Sequence, residues 1–291
     1  MVMNSEKNPN TGASAEAIQH HYDVGNEFYR LWLDSTLTYS CALWEENDTL
    51  ESAQIRKIDF HVKQARASGA ERVLDVGCGW GATLKRLVEK HEVKQACGLT
   101  LSQTQAAWIA SFNDPRIDVR VESWSDHSPE KPYDAIISIG AFEHFVKPKL
   151  TKAQRVKSYR AFFQRCHEWL KPGGFLSLQT IAYGNIRREN MIDFIEEIFP
   201  ESELPMLAEI AEASERVFEI MALRNDRQHY KRTCAAWYSN LKANRAAAIK
   251  LVGQEMVARY EKYLRISRMS FHRERSVLLR ITLRRIDHPA K

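Results

Sequence analysis

The residues best suited to chemistry in this chain lie in one run, Val73-Leu-Asp-Val-Gly-Cys-Gly-Trp-Gly-Ala-Thr83. An apolar strand pattern enters Gly77, Gly79 and Gly81, and a helical pattern follows them. Glycines there let the backbone turn sharply and approach a ligand with no Cβ in the way. The carboxyl end of a strand is also where open parallel sheets bind ligands. Gly81 is followed by Ala82–Thr83, not by the Lys-Ser/Thr of a phosphate loop, and the spacing GxGxG differs from the GxGxxG of a dinucleotide loop. Both readings are set aside, while Asp75 at the strand end can organise the turn. A second carboxylate, Glu143, follows a later apolar strand and is flanked by Phe142 and His144. At that edge of a sheet it is either half of a structural ion pair or a group for proton transfer.

Other reactive side chains point to less. His20, His21, His144 and His229 have no metal-ligand spacing, so no metal site is expected. The five cysteines, Cys41, Cys78, Cys97, Cys166 and Cys234, form no CxxC pair, which argues against zinc or a disulfide framework. No neighbouring base marks Cys41 as a nucleophile. Aromatic residues from Phe28 to Trp32 read as core.

The elements that must position these groups alternate. Strand patterns cover Arg72–Val76, Val93–Leu99, Ile117–Val121, Tyr133–Ile139 and Phe175–Ile181, with helical patterns at Gly81–Lys90, Ser102–Phe112 and Lys152–Leu170 between them. Ser102 is suited to be an N-cap. Such alternation predicts an α/β fold with a parallel sheet covered on both faces. Two later strand patterns, Val217–Leu223 and Ser276–Arg285, bring the expected sheet to seven strands, mostly parallel. Helical patterns at Ala15–Leu33 and Thr49–Ser68 predict a helical N-terminal cap over residues 15–70. Glu189–Glu215 reads as mostly helical, part of an insertion over the active face spanning residues 184–215, and Cys234–Leu264 as one long amphipathic stretch. Residues 1–14 are polar and read as a disordered lead-in to a single domain over residues 15–291.

Hydrophobic residues make up 44% of the chain, enough for a real core, and no apolar run approaches the ~20 residues that span a bilayer. With no signal-peptide pattern at the start, a cytoplasmic protein is expected. The net charge of +5 is uneven: seven arginines lie between Arg265 and Arg285, opposed only by Glu274. That segment is either a solvated face or a dock for something anionic, such as a lipid headgroup at a membrane surface, an acyl-carrier protein or a diphosphate. No nucleic-acid motif accompanies it. The oligomeric state, a homo-oligomer included, is left open by the sequence.

Asp75 with Gly77, Gly79 and Gly81 resembles the E/DxGxGxG loop of S-adenosylmethionine (SAM)-dependent methyltransferases, whose fold is Rossmann-like. The second strand departs from their common pattern, ending Gly98-Leu-Thr-Leu-Ser102 without the carboxylate that usually holds the ribose. Several strings together narrow the resemblance to the cyclopropane fatty acid and mycolic acid cyclopropane synthases. They are His21-Tyr-Asp23 with Phe28–Tyr29, Leu37-Thr-Tyr-Ser-Cys41, Leu74 to Thr83, Gly98 to Gln105, Ser138-Ile-Gly-Ala-Phe-Glu-His-Phe145, Phe199–Pro200 with Leu204–Pro205, His229–Tyr230, and Glu261-Lys-Tyr-Leu264. They stand in family order and cover nearly the whole chain after residue 15.

The resemblance implies that Tyr39 and Ser40 close over the SAM carboxylate, with Tyr22 nearby. It places Gly77 and Gly79 at the methionine part, Thr100, Leu101 and Gln105 at the ribose and adenine, Ser123 and Trp124 beside the adenine, and Ile139 at the sheet end. It also implies a bicarbonate ion near the transferred methyl, around Cys41, Glu143, Ile181 and Tyr230. The chemistry implied is methyl transfer to a carbon–carbon double bond. A weak nucleophile of this kind depends on positioning. The carbocation that forms can be stabilised by aromatic faces, for which Tyr22, Tyr39, Phe142 and Tyr230 are available. A base, Glu143 or bicarbonate, then removes a proton, closing a cyclopropane or leaving a methylated alkene.

Three departures from the family pattern stand out. Gln179 occupies a position where the family has histidine, and glutamine can donate a hydrogen bond but cannot relay a proton. Trp124 is followed by Ser125 in place of glutamate. The insertion from Gly184 to Pro200 is short. These features keep open a second reading, a small-molecule methyltransferase of specialised metabolism acting on a prenyl diphosphate, an aromatic carbon or an amine. A SAM-binding regulatory protein is a third, disfavoured by the presence of both Glu143 and Tyr230.

Overall fold

The computed structural model describes residues 12, 14, 24–190 and 201–288. The lead-in over residues 1–14 lies almost wholly outside the described residues, as does Tyr22.

Seven strands form one sheet: β1 (Arg72–Val76), β2 (Gln95–Thr100), β3 (Ile117–Val121), β4 (Tyr133–Ile139), β5 (Leu170–Tyr183), β6 (Phe218–Asn225) and β7 (Ser276–Arg285). Their order is β3-β2-β1-β4-β5-β7-β6. The first five run parallel, and β7 pairs antiparallel with both β5 and β6. Crossovers between parallel strands must be made by helices on the two faces, which is why the central strands β1 and β4 are largely apolar, while the edge strand β3 alternates apolar and charged residues. The helices are α1 (Asn26–Arg30), α2 (Leu50–Gln64), α3 (Ala82–Lys90), α4 (Gln103–Ala110), α5 (Lys152–Trp169), α6 (Leu207–Ser214), α7 (Arg227–Ala243) and α8 (Arg245–His272). Ser102 caps α4, its hydroxyl accepting from the Gln105 amide. Thr49 and Thr151 cap α2 and α5 in the same way.

Two expectations need correction, and a third meets a break. The insertion is helical at α6 and at the 3-10 turn Arg188–Asn190, while residues 201–206 are non-helical. Pro205 explains this, since it disfavours helix at the residue before it, and its carbonyl accepts from Tyr183 N. Residues 191–200 of the same segment lie outside the described residues. The long amphipathic stretch is two helices that meet at Asn244, and α8 breaks its own geometry at Gly253, where φ is 83°. In the N-terminal cap the described part of the first helix is only α1. Residues 34–48 run without helix, turned by the Asp34 carboxylate, which accepts from Thr36 N and Thr38 N.

Two apolar layers clamp the sheet. One packs α5 against it through Tyr159, Phe162 and Phe163; the other packs α2 and α3 through Ile58, Val62, Leu84 and Leu87. A third, largely aromatic cluster joins α1 to α7 and α8 through Phe28, Tyr29, Trp32, Trp237 and Tyr260. Burial of large aromatic side chains in this cluster holds the N-terminal segment over the carboxyl ends of the strands.

Candidate active site

Two cavities open at the carboxyl edge of β1, β4 and β5. The first encloses about 1060 Å³ and is lined by all the described residues expected to touch a cofactor: Tyr39, Ser40, Asp75, Gly77, Gly79, Thr100, Leu101, Gln105, Ser123, Trp124 and Ile139. The glycine loop gives it shape. Gly77 has φ of 83°, and a Cβ there would stand 2.3 Å from the Ala141 Cβ, so only glycine lets β1 turn beside the β4 end. Asp75 is buried below the loop; burial pushes its carboxyl up to about 7, opposed by Lys57 and a hydrogen bond with Thr83.

The end of this cleft beside β2 is built from neutral groups. Thr100 Oγ1 accepts from Ser102 N at 3.1 Å and donates to Gln105 Oε1 at 2.7 Å. With its oxygen committed, Gln105 presents its NH2 to the cleft. Such an amide can bind hydroxyl oxygens where the common methyltransferase pattern has a carboxylate.

The second cavity encloses about 2160 Å³ with its mouth and is lined by Glu143, Gln179, Ile181 and Tyr230 among others. Tyr39, Ser40, Gly140 and His144 line both cavities and so mark the passage between them. Glu143 sits on the 3-10 turn Phe142–His144 after β4. That turn is anchored by Phe142, which is fully buried and stacks on Tyr159 at 4.4 Å between centroids. Phe142 is therefore core, and lines neither cavity, contrary to its expected place among carbocation-stabilising aromatics.

Glu143 is 5% exposed. Its Oε1 accepts from Ile181 N at 2.6 Å, and its Oε2 is buried without a partner among the described residues. No cation pairs with it among those residues, so the ion-pair reading of this carboxylate has no partner to support it. Burial pushes its carboxyl up to about 7, against the Ile181 amide, its own amide and the Thr180 hydroxyl. Ile181 thus contributes its backbone N–H. Tyr230, on the first turn of α7, stacks on Phe271 at 4.5 Å, and burial raises its phenol well above the usual range. Cys41 does not join them: it is fully buried, its Sγ donates to Ala42 O, and burial pushes its thiol up to about 11.

Helix α2 supplies a set of site residues that hydrophobic patterning overlooks. Gln54, Lys57 and His61 are all buried, and with Gln64 they recur at helical spacing on one face. Gln54 Nε2 donates to Thr38 O and Ser40 O, Lys57 Nζ to Ser40 Oγ at 2.9 Å, and Gln64 Oε1 accepts from Thr282. Lys57 lines the first cavity, and burial, then Arg280, lowers its ammonium to about 8. The signal was present as a polar stripe in a helix whose other buried face, through Ile58 and Val62, is apolar.

The arginine-rich segment does not act as one patch. Arg280 is buried, Arg284 pairs with Glu219, and Arg285 with Asp287, while Arg273 and Arg275 line the second cavity. Among the described residues no helix is long and apolar enough to cross a membrane.

This geometry has close counterparts. The family model for mycolic acid cyclopropane synthetase matches residues 10–281. Cyclopropane mycolic acid synthase 3 of Mycobacterium tuberculosis is 37% identical over 267 residues, covering 85% of this chain and 89% of that protein. The structure of the mycolic acid cyclopropane synthase CmaA1 complexed with SAH and CTAB superposes with a TM-score of 0.85 at 33% identity, covering 94% of this chain and 99% of that one. The cyclopropane synthase MmaA2 from Mycobacterium tuberculosis superposes with a TM-score of 0.83 at 35% identity, over 94% and 99% of the two chains. The sheet order, the glycine loop and these matches agree, and the chain belongs to the mycolic acid cyclopropane synthetase family of SAM-dependent methyltransferases.

Proposed function

We propose that this protein transfers a methylene group from SAM to a carbon–carbon double bond of an unsaturated lipid, with Glu143 as the base. The observation that carries this reading is the orphaned Oε2 of Glu143, buried at the wall of a large cavity that adjoins the cofactor cleft. A buried carboxylate with one satisfied and one open oxygen is placed to accept a proton.

The first cavity fits SAM by its donor set. The glycine loop offers backbone to the methionine portion, Lys57 and Ser40 offer an ammonium and a hydroxyl to a carboxylate, and Gln105 offers its amide to the ribose. SAM, when bound, supplies a methyl carbon whose bond to sulfur breaks as the alkene π pair forms the new carbon–carbon bond. Positive charge then develops on the neighbouring substrate carbon. Tyr39 and Tyr230 line that cavity, and a desolvated cation over an aromatic ring gains about 2 kcal/mol. Glu143 Oε2 takes a proton from the new methyl, and the freed electron pair closes the ring.

Bicarbonate fits less well than the family resemblance suggests. Ile181 N–H is committed to Glu143, and the Cys41 thiol to a backbone carbonyl. Two of the positions that would hold the ion are thereby spent within the protein, which supports Glu143 as the base itself. The lipid chain is supported by the apolar part of the lining, with Leu204, Ile266, Met269, Phe271 and Leu278, and an anionic headgroup or carrier by Arg273 and Arg275. Incubation with labelled SAM and a series of unsaturated acyl lipids and carrier-bound acyl chains tests this function. Transfer to at least one alkene is expected; transfer only to amines, aromatics or prenyl diphosphates would overturn it.

A further inference from the structure

The position where the family resemblance places a histidine is filled by Gln179, and the imidazole is carried instead by α2, one hydrogen bond behind it. His61 Nε2 lies 3.3 Å from Gln179 Oε1, and His61 Nδ1 lies 2.8 Å from Ser177 Oγ. From the other side Arg280 Nε donates to the same Gln179 oxygen at 2.9 Å. An arginine can only donate, so the atom facing it is the amide oxygen. Burial, with Arg280 and Lys57 adding to it, keeps His61 neutral, and a neutral ring donating to Gln179 through Nε2 accepts from the Ser177 hydroxyl through Nδ1. Every donor in this chain points the same way, and the group left to face the cavity is the Gln179 NH2.

The Arg280 guanidinium does more than orient one amide. Its side chain is fully buried, it pairs with Asp226, and its NH2 group donates to Cys41 O at 3.1 Å and Ala42 O at 3.2 Å. Asp226 is the residue before α7, and its carbonyl accepts from Tyr230 N. Burial opposes ionisation of Asp226, but Arg280 and Arg224 outweigh it and hold the carboxyl below its usual range. One cation therefore ties together the segment bearing Tyr39 and Ser40, the strand bearing Gln179, and the helix bearing Tyr230.

We infer that Arg280 is the positioning residue of the acceptor cavity, fixing Gln179 as a permanent hydrogen-bond donor toward it, with His61 as the second clamp. The inference rests on the proposed role of this cavity as the acceptor site. A histidine there would change its donor pattern with pH; an amide held by arginine does not. Gln179 and Ile181 stand two residues apart on β5, so the donor and the backbone anchor of Glu143 are close in sequence.

Gln179→Glu separates this role from a structural one. The substitution is isosteric and gives Arg280 a carboxylate partner, so a purely structural Gln179 tolerates it. A donor turned into an acceptor instead loses about 100-fold in kcat while the SAM Kd and folding are preserved. Arg280→Lys, which cannot span the same acceptors, is expected to lower kcat on the order of 100-fold through misplacement, with SAM affinity kept.

A readout independent of substrate is the carbon-13 NMR titration of Glu143 in protein labelled at glutamate Cδ. The titratable groups that interact with that carboxyl are Tyr230 from α7 and Tyr159 from α5, with His144 next to it on its own turn and Glu203 bonded by its backbone to the Glu143 carbonyl. A carboxylate at position 179 raises the Glu143 midpoint, while Gln179→His, a partial donor, leaves it near the wild-type value. An unmoved midpoint and unchanged kcat in Gln179→Glu would overturn the inference. Failure of the wild-type enzyme to modify any alkene would sink the proposed function and leave the titration intact as a test.

Discussion

The first cavity and the proposed acceptor cavity are each lined by a glutamine whose oxygen is tied down, yet they are built over different chain distances. Gln105 is held by Thr100, five positions away in sequence, inside one strand-to-helix turn. Gln179 is held by Arg280 and His61, 101 and 118 positions away, from a distant strand and a helix that precedes the sheet. The first device is a local motif that any chain with this turn can carry. The second exists only after the whole sheet has closed. A site of the first kind depends on residues within one motif, whereas one of the second kind depends on several distant residues at once, here Gln179, His61, Arg280 and Asp226.

That contrast can be broken by experiment. The largest effect is expected from Glu143→Gln, which removes the proposed base and should lower transfer by about 10³-fold while SAM affinity is kept. The stability of the wild type should also depend on pH through the Glu143 carboxyl. The folded-state carboxyl titrates near 7, above its unfolded value, so the native protein binds the proton more tightly and loses stability as pH rises from the unfolded value through about 7. Glu143→Gln should melt about 5 °C higher than wild type at pH 8 and equally at pH 4, by calorimetry. The transfer rate of the wild type should rise with pH to a plateau above about 7.

In the cofactor half, Gln105→Leu should raise the SAM Kd about 10-fold or more, since Thr100 and the ribose hydroxyls lose a buried partner, while kcat at saturating SAM changes little. Lys57→Met should raise the KM for SAM about 10-fold with kcat kept. Because the Lys57 ammonium titrates near 8, wild-type SAM affinity should fall as pH climbs past that value, and the variant should show no such fall. Removal of dissolved carbon dioxide should have the smallest effect, none on the transfer rate. A rate restored by added bicarbonate would return the base to that ion.

The same contrast explains what the sequence disclosed. The loop from Asp75 to Gly81, the Thr100–Gln105 turn and the Ser102 cap are contiguous strings whose geometry follows from local backbone chemistry, and they were legible with the sheet they belong to. The strands were legible because the central parallel ones are largely apolar and the edge strand β3 alternates. Missed were features that need tertiary context. Phe142 looked available to a substrate because its neighbour Glu143 is, but adjacent residues on a 3-10 turn point apart and its ring joins the core. Arg280 looked like one charge in a basic run, though its strand buries it opposite Asp226. The polar stripe of α2 was masked by the apolar one at similar spacing.

The most direct measurement supplies trideuteromethyl SAM and an unsaturated acyl lipid to wild type and Glu143→Gln, with the product read by mass spectrometry. Proton removal by Glu143 from the transferred methyl predicts a cyclopropane that has lost one deuterium, formed by the wild type and absent from a variant that still binds SAM. A product retaining every deuterium, or a variant working at the wild-type rate, would contradict it.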